Sequence, residues 1–387
     1  MSSIGVERHG SDRRVPFLRP FVPPYAGVES RFREAYEAGS FTKGAELVRF
    51  EEATAAYLGV SDVVAVSSCT MGLTLVHRAL GLAGEVIVPS FTFMASVSSL
   101  VWAGCEPVFV DIDRDTWLID LDRVESAITP QTSAIVAVHL FGAPAPVEAL
   151  QTLAARHGIR LIFDAAHGFG ALHDGLPVGA GGTAEVFSMS PTKLLVTGEG
   201  GVVATNDAGL AEELRVLREY GNPGDYDSRS PGTNARLPEI AAIMGHEGLA
   251  HLEANAKGRN AIASRYVEQL AKVPGIRAQR IDDRDRSSYK DFSIVVIPEE
   301  SGITRDALVA MLASRGVETR NYYVPPVHRH RAYRDLGARF DTLLPVTDWI
   351  SERVTSLPIW TGMADEDVDH VCRCIAEVAK GPGVGAS

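Results

Sequence analysis

Short apolar runs at Val63–Val66, Glu85–Val88, Pro107–Val110, Ala134–Val138, Arg160–Phe163 and Glu185–Ser188 alternate with stretches of helical spacing at Thr70–Leu82, Thr92–Ala103 and Pro146–His157. That alternation leaves few folds open. A chain that returns to a sheet through a helix lays its strands parallel, with right-handed crossovers. The expectation is an α/β fold whose large domain has a mainly parallel central sheet flanked by helices. Gly198-Glu199-Gly200-Gly201 reads as a turn into a further strand at Val202–Ala204, followed by a helix from Ala208 to Tyr220.

A chain of 387 residues has room for a second unit beside this core. Residues 1–15 read as loosely attached and Pro16–Gly27 as an extended arm, so residues 1–28 form an N-terminal segment. The spacing of Phe32, Tyr36, Phe50 and Tyr57 predicts two short helices, which open a large domain over 29–255. Helices over 239–272 lead into a smaller α+β domain over 256–387. It holds the run Phe292–Val296, the helix Thr304–Arg315, the segment Val317–Arg320 and a closing helix Asp365–Ala379. Between them, residues 221–238 are polar and rich in turn formers, and a loop that long is usually functional.

Charge and composition remove several classes of function. A formal net charge of -12 argues against nucleic acid or an anionic membrane as partner, since both require clustered Lys and Arg. No apolar run approaches the ~20 residues needed to span a bilayer. Residues 1–14 lack the apolar centre of a signal peptide, so the expected location is the cytoplasm. Cys69, Cys105, Cys372 and Cys374 have no zinc-knuckle spacing and read as buried thiols, with no metal site.

Three constellations stand where strands end, which is where open parallel sheets bind ligands. Lys193 follows Ser188-Met189-Ser190-Pro191-Thr192, just past a strand; a lysine there can lose its charge by burial or as an imine. Asp164 ends the strand before Ala165-Ala166-His167; alone it reads better as a helix N-cap than as an acid for a ring nitrogen. Ser67-Ser68-Cys69-Thr70 lies between a strand and a helix, where free amides suit a phosphate. A lysine, an acid and an anion cradle together match the needs of pyridoxal phosphate. No G-x-G-x-x-G motif opens the first strand–helix unit, so a nicotinamide site is disfavoured.

The ordered motifs go further. They are Ser40-Phe41-Thr42-Lys43-Gly44, Phe50-Glu51, Ser68-Cys69-Thr70-Met71-Gly72-Leu73 and Val86-Ile87-Val88-Pro89-Ser90-Phe91-Thr92-Phe93. After these come His139-Leu140-Phe141-Gly142, Asp164-Ala165-Ala166-His167, Phe187-Ser188 through Lys193 and Thr197-Gly198-Glu199-Gly200-Gly201. Asn234-Ala235-Arg236, Tyr322-Tyr323-Val324-Pro325-Pro326-Val327-His328 and Ser356-Leu357-Pro358 complete the series. From about Gly39 to Val378 the chain resembles the DegT/StrS-type sugar aminotransferases, a branch of the fold type I pyridoxal-phosphate enzymes.

The resemblance implies roles at matching positions. Lys193 would carry pyridoxal 5′-phosphate as a Schiff base and shuttle a proton, with pyridoxamine phosphate as the aminated form. Asp164 would keep the pyridine nitrogen protonated. His167 would sit near the phenolic oxygen, and Phe93 would stack on the ring. The amides of Cys69 and Thr70, with the Ser188 hydroxyl, would hold the phosphate. Asn234 would reach the phosphate of a neighbouring subunit, which implies a homodimer with shared sites. Tyr322, Tyr323 and His328 would face the sugar, with Arg236 as a candidate for an anionic group. Cys69 departs from the usual Gly, so the backbone there would meet the phosphate differently. Related dehydratases carry His in place of the lysine; Lys193 therefore favours amino transfer.

The expected reaction moves an amino group from glutamate or glutamine to a keto sugar, nucleotide-activated, in deoxyaminosugar biosynthesis. A keto-cyclitol acceptor is the enzymatic alternative. A pyridoxal-phosphate protein with a regulatory role and no catalysis is the third reading.

Overall fold

The computed structural model describes residues 13–379. The N-terminal expectation for residues 1–12, and the small-domain expectation for 380–387, fall outside the described residues. The large domain opens with α1 (Tyr25–Glu37), α2 (Ala45–Leu58), β1 (Asp62–Val66), α3 (Cys69–Ala79), β2 (Glu85–Pro89) and α4 (Ala95–Ala103). It continues through β3 (Glu106–Val110), α5 (Leu121–Ala127), β4 (Thr132–Val138), α6 (Val147–His157) and β5 (Arg160–Asp164). Then come β6 (Leu172–His173), β7 (Leu176–Pro177), β8 (Ala184–Ser188), β9 (Gly201–Thr205) and α7 (Ala208–Leu217). The long α8 (Glu239–Leu270) leads to β10 (Ile276–Ala278), β11 (Asp285–Arg286), β12 (Phe292–Val296), α9 (Pro298–Ser301) and α10 (Arg305–Ser314). The last elements are α11 (Arg334–Gly337), α12 (Pro345–Arg353), β13 (Val354–Leu357) and α13 (Asp365–Ala379).

Seven strands form the main sheet in the order β1-β9-β8-β5-β4-β2-β3. All are parallel except β9, which pairs antiparallel with both β8 and β1. The glycine turn is the reason: β8 reaches β9 with no intervening helix, so the chain reverses direction. Period-two alternation then sorts each strand between two helical layers. Val64, Val66, Val136 and Val186 pack with α3, α4 and α7, whereas Val63, Ala65, Phe187 and Val202 pack with α2 and α8. Both faces are covered, which is why these strands read as continuous apolar runs.

Helix termini follow their local chemistry. Ser68 caps α3 by accepting the Met71 amide at 3.2 Å, and Asp207 caps α7 by accepting the Leu210 amide at 3.0 Å. A buried carboxylate from far along the chain caps α2: Glu239 accepts the amides of Gly44, Glu46 and Leu47 at 2.9–3.2 Å. Gly72 lets α3 press onto the sheet, because a Cβ there would stand 2.8 Å from the Val186 side chain.

The helices expected over 239–272 are one continuous helix of 32 residues, about 48 Å long at 1.5 Å per residue. No proline breaks it, and both halves are anchored. Leu252 and Ala256 belong to the large-domain core; Ile262, Ala263, Tyr266 and Leu270 belong to a second core with the β10-β12-β13 sheet, α10 and α13. This helix crosses the expected boundary at 255/256 without interruption. The N-terminal segment is extended up to Pro24 and helical from Tyr25 onward. Its Val15 pairs with Val317 and is buried in the second core, and Arg13 bonds Asp367 at 2.7 Å.

Candidate active site

The cavity at the carboxyl ends of the sheet holds about 380 Å³. Its floor comes from strand ends and helix starts: Asp164 closes β5, Ser188 closes β8, and Ser68-Cys69-Thr70 open α3. Lys193 stands on a turn closed by its amide bonding to Ser190 O at 3.0 Å. The loop beyond is tied back by Met189 N to Gly200 O at 2.9 Å and Thr197 N to Met189 O at 3.0 Å. The small domain supplies the opposite wall through Lys290, Tyr322 and Tyr323.

Asp164 is nearly inaccessible, at 3% exposure. Ser96 Oγ donates to its Oδ2 at 2.6 Å and the Ala166 amide to its Oδ1 at 3.1 Å. Burial raises its pKa, against the pull of Ser96, Ala166 and Lys193. A carboxylate so desolvated is a strong partner for a cationic N–H, and two bonds leave acceptor capacity for a third. No helix follows Asp164, since residues 165–170 form turns, so it caps none; there it accepts the amide of Ala166 alone.

Lys193 Nζ has no hydrogen-bond or ion-pair partner among the described residues. Burial, with Lys290 nearby, lowers its pKa from 10.5 to about 8. A neutral amine, and hence a nucleophile, is therefore accessible in mildly basic solution. His167 is held by the Phe141 amide, which donates to Nδ1 at 3.1 Å. That bond leaves the proton on Nε2, and burial, with Lys193 and Lys290, pushes the pKa well below the usual range. His167 is a neutral donor rather than a cation.

Cys69 Sγ lies 3.4 Å from Val186 O and 3.9 Å from Asp164 Oδ1, so its thiol faces the sheet. The amides of Cys69 and Thr70, in the first turn of α3, have no acceptor among the described residues. Gly201 makes room for them: a Cβ there would stand 2.6 Å from Cys69 N. Free amides at the N-terminus of an eleven-residue helix suit a phosphate. Phe93, half exposed, lines the cavity with its ring 6.3 Å from that of Tyr323. A phosphate cradle, an acid, an amine and an aromatic face thus stand around one cavity, and that donor set fits pyridoxal phosphate.

Not every expected residue arrives there. His328 is buried away from the cavity; its Nδ1 lies 2.7 Å from Ser90 Oγ, and Ser90 Oγ accepts the His328 amide at 3.1 Å. It does not line this chain's cavity, and its imidazole joins residues 327–330 to the end of β2. Asn234 and Arg236 also lie outside this chain's cavity. Asn234 is exposed, and Arg236 bonds Glu219 at 2.9 Å with its guanidinium over the Tyr220 ring. Conversely, sequence reasoning missed Ser96 and Lys290. Ser96 carried no signal, whereas Lys290-Asp291 is a charged pair directly before a buried strand.

Comparison with known proteins agrees with this geometry. The profile of the DegT/DnrJ/EryC1/StrS aminotransferase family matches residues 27–376. The structure is similar to that of DesI, solved in the presence of its TDP-sugar product. They share 37% identity over 96% of this chain and 94% of DesI, with a TM-score of 0.90. DesV of S. venezuelae, solved in complex with a ketimine intermediate, is 35% identical over 96% of this chain and all (100%) of its own, with a TM-score of 0.87. The putative sugar aminotransferase Spr1654 of Streptococcus pneumoniae, solved in its PLP form, is 26% identical over 94% of this chain and 98% of its own, with a TM-score of 0.86. Its PMP form matches as well, at 25% identity. The chain belongs to the DegT/DnrJ/EryC1/StrS aminotransferase family and is a transaminase whose cofactor is pyridoxal phosphate.

Proposed function

We propose that this enzyme takes the amino group of glutamate or glutamine and delivers it to the keto carbon of a nucleotide-activated sugar, in deoxyaminosugar biosynthesis. The observation that carries this reading is the 37% identity to DesI, whose structure was solved with a TDP-sugar product, over 96% of the chain. The overall exchange balances. The donor's CH–NH2 becomes C=O while the acceptor's C=O becomes CH–NH2, so the nitrogen, its hydrogens, a carbon-bound hydrogen and two electrons are exchanged for the oxygen. Bound there, pyridoxal phosphate would supply an aldehyde to carry the nitrogen and a ring to act as an electron sink.

The protein's own groups divide the remaining work. Lys193 attaches the cofactor and, once displaced, moves the proton at the reacting carbon, a role to which burial suits it by favouring the neutral amine. Asp164 keeps the ring nitrogen protonated. His167, as a neutral Nε2 donor, orients the ring oxygen, and Phe93 covers the ring face. The amides of Cys69 and Thr70, with Ser188, hold the phosphate. Tyr322 and Tyr323 present the sugar-facing wall. The enzyme works as a cytoplasmic homodimer in which Asn234, and with it Arg236, serves the partner's site; their position outside this chain's own cavity is what motivates the pairing.

The test is to incubate the purified enzyme with glutamate or glutamine and a TDP-keto-sugar or a keto-cyclitol, and to identify the aminated product by mass spectrometry. Amination of the cyclitol alone would overturn the sugar reading. Mixing Lys193→Ala with Asn234→Ala subunits tests the shared site. Restored activity is expected, and none despite demonstrated subunit exchange would reject sharing.

A further inference from the structure

Lys290 is the second cation on the wall of the cavity, and nothing in the roles above uses it. Its side chain is buried, with Nζ 2.9 and 2.8 Å from the two oxygens of the buried Asp291 and 5.2 Å from the centre of the Tyr322 ring. Its main chain is pinned on both sides. The Lys290 amide donates to Phe141 O at 3.0 Å, and the buried Arg259 of α8 donates to the carbonyls of Tyr289 and Lys290 at 3.0 and 3.1 Å. Asp291 and the Tyr322 ring therefore hold the ammonium at the edge of the cavity, while Arg259 and Phe141 hold its backbone. Burying an ion pair costs free energy that packing an apolar pair would not, so its presence at this wall calls for a use.

The chemistry of the reaction supplies one. An amino-acid donor brings an α-carboxylate next to the carbon that reacts, and that anion needs a fixed cation. Among the described residues lining the cavity the lysines are Lys193 and Lys290, and His167 is neutral. Lys193 is engaged at the reacting centre and cannot serve as a permanent counter-charge. Lys290 keeps one N–H beyond the two directed at Asp291. Asp291 compensates the ammonium before the donor arrives.

We propose that Lys290 is the residue that recognises the α-carboxylate of the amino donor, its ammonium shared between Asp291 and the incoming carboxylate. The sugar acceptor has no carboxylate at its keto carbon, so Lys290 distinguishes the two half-reactions. The proposal rests on the transamination reading above and sharpens its donor side.

The experiment compares L-glutamate with its α-amide, L-isoglutamine, as amino donors in the wild type, Lys290→Met, Lys290→Arg and Lys290→Met/Asp291→Asn. The double variant leaves no unpaired buried carboxylate, which guards against a folding defect, and circular dichroism checks each protein. Calorimetric binding of 2-oxoglutarate to each cofactor-loaded protein gives a readout separate from turnover. Wild type should favour glutamate over the α-amide. Both Met variants should lose at least about tenfold of that preference and of 2-oxoglutarate affinity, while KM for the keto-sugar changes less than about threefold. Lys290→Arg should recover part of the loss. In cofactor-free protein, Lys290→Met alone removes a like charge and keeps Asp291, so the pH at which Lys193 reacts with an aldehyde should move above about 8. Unchanged carboxylate preference in a folded Met variant overturns the proposal, as does loss of that preference in Arg236→Ala alone. A wild type that accepts nitrogen from no amino acid overturns the transamination reading instead, and this proposal with it.

Discussion

The floor and the wall of the cavity are built on different terms. The floor is regular structure: β5, β8 and the first turn of α3 deliver Asp164, Ser188 and the amides of Cys69 and Thr70 from adjacent parts of one sheet. The wall is loop. Lys290, Tyr322 and Tyr323 come from segments that flank the small-domain sheet, and a buried arginine, not a ladder, holds the first of them. One short turn joins the two regions. The peptide of Phe141 gives its N–H to His167 and its carbonyl to the amide of Lys290. The floor can thus keep a cofactor in one pose, because strand ends move little, while the wall tyrosines rest on a cluster that joins Phe91, Val138 and Phe141 at the sheet's edge to Val295 and Val354 of the small-domain sheet.

This contrast predicts that losses on the floor affect the chemistry itself. Lys193→Ala should reduce amino transfer by several orders of magnitude while the protein folds normally, since Nζ makes no bond that the fold needs. Wild-type turnover in that variant would break the assignment. For the intact lysine, the neutral amine is the reactive form, so the rate of cofactor uptake by apo-protein should rise with pH and level off above about 8, not near 10.5. A profile still climbing at pH 10 would contradict the buried position of Lys193. Asp164→Asn keeps shape and removes charge, and should cost roughly 10²–10³-fold in kcat, about 2.7–4 kcal/mol, measured at saturating donor and acceptor. A smaller loss would reduce Asp164 to a partner of the Ala166 amide.

On the wall, the effect should appear in stability and in donor KM more than in kcat. Arg259→Met strands the carbonyls of Tyr289 and Lys290 and should lower unfolding free energy by about 2–4 kcal/mol in urea. It should also raise the donor KM. A drop in kcat alone, with KM unchanged, would erase the distinction between floor and wall. The smallest effect is expected at His328, which faces Ser90 and not the cavity: His328→Gln should change kcat/KM by less than about threefold, under ~0.7 kcal/mol. A larger change in steady-state kinetics would return His328 to the site.

The floor was legible in the sequence and the wall largely was not. Strand ends announce themselves, because an apolar run stops at Asp164 or Ser188 and a glycine turn follows. The loop residues of the wall have no such punctuation. Tyr322 and Tyr323 were found through their motif, but the same motif put His328 beside them, and the backbone instead turns that ring towards β2. β6, β7, β10, β11 and β13 were also invisible as strands, since elements of two to four residues have too little periodicity to read.

By itself, then, the sequence determined the alternating strands and helices, the glycine turn and the motifs that put a lysine, an acid and an anion cradle at strand ends, because each depends on residues near in the chain. Tertiary structure decided what those patterns cannot encode. It ran α8 unbroken through both cores, aimed Ser96 at Asp164, turned His328 towards Ser90, and brought Lys290 to the cavity from some hundred residues beyond Lys193. Each of these depends on long-range packing and on where buried hydrogen bonds find partners, and no local pattern carries that information.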